Sequence, residues 1–147
     1  MKILTCGVFD LLHIGHINFL KKLKKENGKL IVLIHSDRFV CSYKRKPIIN
    51  EIDRLELIKN VKFIDQAFIN DEDYISDDII TKYNIDKIYH GIDIENKNIW
   101  DYYYHIPINI NIMNYIPYDN NYISTTQIIN KIINNNNNNN NYEDRYT

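Results

Sequence analysis

Residues 29 to 36, KLIVLIHS, form a near-continuous apolar run of strand formers. A strand without a polar face belongs in the middle of a parallel sheet covered on both sides. The run is preceded by Ile17 to Asn27, with helical spacing that turns Leu20 and Leu23 inward, and before that by the short β-branched segment Lys2 to Cys6. Strand, helix and strand in this order make a βαβ unit. The alternation continues. Asn50 caps a helix over Glu51 to Ile58 with an acidic first turn and with Ile52, Leu55 and Ile58 inward. Phe63 to Ile69 reads as a third strand, Tyr74 to Tyr83 as a helix, and Lys87 to His90 as a short strand ending at Gly91. Asn109 to Ile116 alternates apolar and polar residues, the pattern of an edge strand with one wet face. The expected fold is therefore α/β: a Rossmann-like parallel sheet of about five strands with right-handed crossovers and helices on both faces.

A chain of 147 residues, 44% hydrophobic, supports one compact domain and is too short for two. That domain is expected over residues 1–133. Residues 134–147, opening with an unbroken asparagine tract, offer nothing to bury and are expected to be a disordered tail. The net charge of -1 provides no global field for nucleic acid or an anionic membrane, so neither is expected as a partner. Cys6 and Cys41 are expected as free thiols. Met1-Lys2 leads straight into a strand and no apolar run is long enough to span a bilayer, which gives the expectation of a cytoplasmic protein.

In such sheets ligands lie beyond the carboxyl ends of the strands. There the chain reads Gly7-Val8-Phe9-Asp10-Leu11-Leu12-His13-Ile14-Gly15-His16. A helix starting near Ile17 directs unpaired N–H groups and a partial positive charge at the turn, where anions bind. Gly15 lets a phosphate approach the backbone, and each imidazole can donate a hydrogen bond. Two histidines three apart could also hold a metal. No third ligand is at hand, because Cys6 lies in the strand and Asp10 is a hard donor suited to magnesium. A phosphate clamp without a resident metal accounts for the glycine as well as the histidines.

Three further segments reach the same edge. Lys44-Arg45-Lys46 is a loop of cations able to grip phosphates, or an ordinary solvated charge run. Gly91-Ile92-Asp93 is a turn after the fourth strand. Ser124 and Gln127 make a capping box, and a helix start rich in hydroxyls is also a phosphate site. The aromatic run Trp100 to Tyr104 suits core packing or a dimer interface better than a box for a quaternary ammonium.

Phe9-Asp10-Leu11-Leu12-His13-Ile14-Gly15-His16 resembles the signature of the cytidylyltransferases within the HxGH nucleotidyltransferases, nearest to the glycerol-3-phosphate cytidylyltransferases. The resemblance runs from about residue 2 to 133. It implies CTP rather than ATP as donor, and transfer of CMP to an alcohol phosphate, glycerol 3-phosphate first, giving CDP-glycerol and pyrophosphate. It makes His13, His16 and Lys44 catalytic, with Lys46 competing for the lysine role, and Arg54 a phosphate ligand. Gly7, Val8, Phe9, Asp10, Gly15, Asp93, Ser124, Thr125 and Thr126 would bind the nucleotide. It further implies Mg2+ bound with CTP and a homodimer. Ile123-Ser124-Thr125-Thr126 matches the end of the family's second signature, while Asp119, Asn120, Asn121 and Tyr122 replace its arginine, threonine, glutamate and glycine. Phosphoethanolamine or phosphocholine as acceptor, an adenylyltransferase, and a nucleotide-binding module impaired in turnover are the alternative readings.

Overall fold

The computed structural model describes residues 1–119 and 123–137. Five parallel strands form one sheet in the order β3-β2-β1-β4-β5. They are β1 (Lys2–Gly7), β2 (Lys29–His35), β3 (Gln66–Asn70), β4 (Lys87–Gly91) and β5 (Met113–Ile116). β1 is central, paired with β2 in the register Ile3↔Leu30 and with β4 in the register Ile3↔Lys87. β2 is buried along its length from Leu30 onward, as its apolar run demands.

Alternate residues of the strands face two separate cores. On one face Leu4, Cys6, Ile31 and Leu33 pack with Phe39 of α2 (Asp37–Cys41), Ile75, and Trp100 and Tyr103 of α5 (Lys97–Tyr103). On the other, Ile3, Leu30, Val32 and Ile34 meet Leu20 and Leu23 of α1 (Ile14–Leu23) and Ile58 of α3 (Glu51–Lys59). Helices thus cover both faces. Trp100, Tyr103 and Tyr104 are core residues, and both cysteines are free, Cys6 buried and Cys41 exposed.

Several boundaries differ from the sequence reading. α1 begins at Ile14, because His13 itself caps it, so Gly15 and His16 stand in the first turn. In α3 the inward residues are Arg54 and Ile58, whereas Ile52 is exposed. The third strand starts at Gln66, after backbone bonds from Val61 to Ile58 and from Ile64 to Val61 extend the turn that follows α3. α4 (Asp77–Tyr83) starts later than Tyr74 because Ser76 caps it. The segment before β5 is helical, α6 (His105–Asn109), so the edge strand is shorter than its alternating pattern. α7 (Thr125–Asn137) continues past residue 133 into the asparagine tract; residues 138–147 of the expected tail lie outside the described residues. Among the described residues no helix is long and apolar enough to cross a membrane.

Candidate active site

The turn after β1 is held in an uncommon backbone shape. Phe9 and Leu11 both take positive φ, 52° and 50°, a conformation costing an L-residue about 1–2 kcal/mol. Three anchors impose it. Asp10 is buried, and its carboxylate accepts the Ile48 N–H at 2.8 Å and the Ile49 N–H at 2.9 Å. Arg54 is fully buried and donates to the Val8 carbonyl at 2.7 Å, the Ile49 carbonyl at 2.9 Å and Asp37 at 2.7 Å. Phe9 folds back over Gly7, where a Cβ would come within 2.7 Å of its ring.

The two histidines close α1 reciprocally. His13 Nδ1 accepts the Gly15 N–H at 3.0 Å, and His16 Nδ1 accepts the His13 N–H at 3.2 Å, a capping box built from imidazoles. Each Nδ1 being an acceptor, each ring proton sits on Nε2. The rings stack with centroids 3.8 Å apart. Burial lowers the pKa of His13, and burial together with the adjacent His13 brings His16 down to about 3. Both rings are therefore neutral N–H donors at pH 7, beside the N-terminus of α1. The space beside Gly15 is filled by the chain itself, since a Cβ there would lie 2.8 Å from the His13 ring and 2.9 Å from the Ile123 carbonyl.

The start of α7 completes this end. Ser124 N–H donates to Gln127 Oε1 at 2.8 Å, and Gln127 N–H returns to Ser124 Oγ at 3.2 Å. Thr125 Oγ1 donates to the Asp10 carbonyl at 3.0 Å and lies 3.3 Å from His13 Nε2. Asp119 stands at the cavity edge, 3.9 Å from Lys22 in a half-exposed ion pair. Asn120, Asn121 and Tyr122, including the question of a positive φ at Tyr122, lie outside the described residues.

A cavity of about 460 Å³ opens at the carboxyl edge of the sheet. Every residue given a catalytic or binding role from the sequence lines it except Lys46 and Arg54. Arg54 is spent on scaffolding, a correction to its expected role as a phosphate ligand, because all its nitrogens face backbone carbonyls and Asp37. Lys44, Arg45 and Lys46 are all exposed, and of the three only Lys44 and Arg45 reach the cavity wall. Burial, then the adjacent Arg45, lowers the Lys44 pKa. Burial pushes the Asp93 carboxyl up, but hydrogen bonds from Trp100 Nε1 at 2.9 Å and from Asn96 outweigh it and hold the group below its usual range.

Sequence reasoning missed Lys22, Tyr43, Asn96 and the buried His35 and His90 on this wall. Arg45 belongs to the basic loop already singled out; nothing in the pattern of β2 or β4 marks the histidines near their ends. Among the described residues no cluster of three or more metal-ligating side chains occurs.

A parallel α/β sheet bearing neutral imidazole donors, a helix start rich in hydroxyls and a lysine around one cavity defines a nucleotidyltransferase. The chain belongs to the Cytidylyltransferase-like family, which it matches over residues 4–131. Two curated relatives cover nearly all of it. The FAD synthase of Thermococcus sibiricus is 32% identical over 145 residues, spanning 90% of this chain and 93% of that one. The FAD synthase of Picrophilus torridus is 34% identical over 140 residues, spanning 90% and 96%. Among solved structures, a lipopolysaccharide core biosynthesis protein from Thermoplasma volcanium superposes with a TM-score of 0.64 at 27% identity, over 82% of this chain and 98% of that one.

Proposed function

We propose that this enzyme transfers AMP from ATP to the phosphate of FMN, producing FAD and pyrophosphate. The observation that carries the reading is the pair of FAD synthases aligned over nine-tenths of both partners. They shift the reading from the cytidylyl donor and glycerol 3-phosphate acceptor implied by the Phe9 to His16 signature toward the adenylyl alternative.

In this reaction an oxygen of the FMN phosphate attacks the α-phosphorus in line. The bond from the α-phosphorus to its bridging oxygen breaks, and that oxygen leaves with pyrophosphate. No covalent enzyme intermediate is required, so catalysis is positioning and charge stabilisation. His16 presents its Nε2–H, and His13 the Nε2–H that rests on Thr125 Oγ1 in the free protein, to the α-phosphate and the bridging oxygen, without the proton exchange a titrating histidine would bring. Lys44 meets the attacking phosphate and the α-phosphate. Ser124, Thr125 and Thr126 at the start of α7 receive the outer phosphates, where backbone N–H groups also point. Magnesium enters as part of the nucleotide substrate, held mainly by phosphate oxygens and water. Both Asp10 oxygens already accept backbone N–H groups, which suits a turn-holding role better than a metal ligand. A homodimer, implied by the family resemblance, belongs to the same proposal.

The test incubates purified protein with magnesium, ATP and FMN and separates the products by chromatography. FAD and pyrophosphate in equal amounts are expected. CDP-glycerol from CTP and glycerol 3-phosphate, with no FAD, would return the reading to cytidylyl transfer. Nucleotide binding without turnover on any of these acceptors would leave an impaired binding module.

A further inference from the structure

We propose that His35 and His90 form a recognition subsite for the planar, uncharged heterocycle of a substrate, hydrogen bonding to its edge. The inference rests on the nucleotidyl-transfer reading and adds residues to it.

A neutral imidazole carries one donor and one acceptor nitrogen. His35, at the end of β2, is fully buried, and neither ring nitrogen has a partner. His90, in β4, is 5% exposed and its Nδ1 is likewise unpartnered. Among the described residues nothing bonds to these three nitrogens. His35 is surrounded by the rings of Phe39, Trp100 and Tyr103, at centroid distances of 4.9, 5.5 and 5.1 Å. The Tyr103 hydroxyl already accepts from Asn70 at 3.1 Å. His90 packs on Trp100 at 4.4 Å. Buried polar atoms without partners are few in folded proteins and each is unfavourable. Among the described residues the others are the Thr5 and Tyr104 hydroxyls, and only the nitrogens of the two histidines stand on the cavity wall.

Lys44 and Arg45 serve the cavity's phosphates together with His13, His16 and the start of α7. Burial holds His90 down to about 4 and His35 well below its ordinary value, so both imidazoles are uncharged at neutral pH, with the Asp93 carboxylate acting on His90 and Lys44 on His35. Trp100 and Tyr43, with ring centroids 5.3 Å apart, supply aromatic surface there. A ligand group suited to this wall is flat and neutral, with hydrogen-bond donors and acceptors alternating along its edge. Both a flavin ring and a nucleobase have that chemistry, and the measurement tells them apart.

His35→Phe and His90→Phe keep a ring and remove the nitrogens. Dissociation constants for FMN, ATP, CTP and inorganic tripolyphosphate are measured by calorimetry. Each variant is expected to weaken one heterocycle-bearing ligand about tenfold and to leave tripolyphosphate unchanged; whether FMN or a nucleotide responds identifies the ring. His35→Gln and His90→Gln should recover part of the affinity. Unchanged binding of FMN, ATP and CTP, or equal weakening of tripolyphosphate, overturns the proposal. Should the variants fail to fold, the 15N shifts of the two imidazoles in the native protein decide. They must move on adding FMN, ATP or CTP and stay fixed with tripolyphosphate, and any other pattern overturns the subsite. A native enzyme that makes no FAD, yet whose variants bind CTP or ATP less well, would end the FAD reading and keep the subsite. One that makes FAD with both variants binding normally would do the reverse.

Discussion

His13 and Thr125, 112 positions apart in the chain, meet with Nε2 and Oγ1 separated by 3.3 Å. The threonine hydroxyl gives its proton to the Asp10 carbonyl, so toward the imidazole it can only accept. One contact thereby fixes the tautomer of His13 and seats the first residue of α7 against the turn. Thr125→Val is expected to lower kcat about tenfold, the worth of one hydrogen bond to a group that must stay oriented. Thr125→Ser should restore most of the loss. Steady-state rates of nucleotidyl transfer for the three proteins check this.

Lys44 lines the cavity and Lys46 does not. Lys44→Ala is expected to reduce kcat about 100-fold, the usual cost of removing one charge-stabilising group. Lys46→Ala should stay close to the native rate. The opposite ranking in parallel kinetic runs would move the catalytic lysine by two positions.

Arg54 is expected to matter for folding rather than for phosphate binding. Arg54→Ala leaves the Asp37 carboxylate and the Val8 and Ile49 carbonyls without their donor. Breaking a buried pair of this kind costs about 3–5 kcal/mol. Urea unfolding should show a loss of that size, with tripolyphosphate affinity of the folded protein little changed.

Stability should fall as the solution is made acid. His16, His35 and His90 are held below their ordinary value of 6.5, the first to about 3 and the last to about 4. Between pH 6.5 and about 4 the unfolded chain binds protons at these rings that the folded chain refuses. Their contribution is therefore complete above pH 6.5 and declines below it, by about 1.4 kcal/mol per pH unit for each ring. Unfolding free energies at pH 7.5, 6.0 and 5.0 test the slope, and His35→Phe should make it shallower. A flat profile over that range would contradict the burial of neutral imidazoles.

The sheet was legible because its strands carry their environment in their composition: KLIVLIHS can sit nowhere but between two layers. The turn was legible because its residue types have few uses together. Arg54 was misread as a ligand because an arginine on a helix near a phosphate site has the same sequence whether it faces the cavity or the core. Ile52 was misread for the complementary reason, as the helical face is set by where Arg54 must reach. His35 and His90 were hidden because a single histidine closing an apolar strand has no periodicity of its own.

The strand order places β1 at the middle of the sheet, with its successor β2 on one side and β4 on the other. The connection after β1 therefore leaves toward β2 and the one after β4 toward β5, so the chain parts in opposite directions at the cavity. In the proposed reaction donor and acceptor would meet at that parting, beside the stacked rings of His13 and His16.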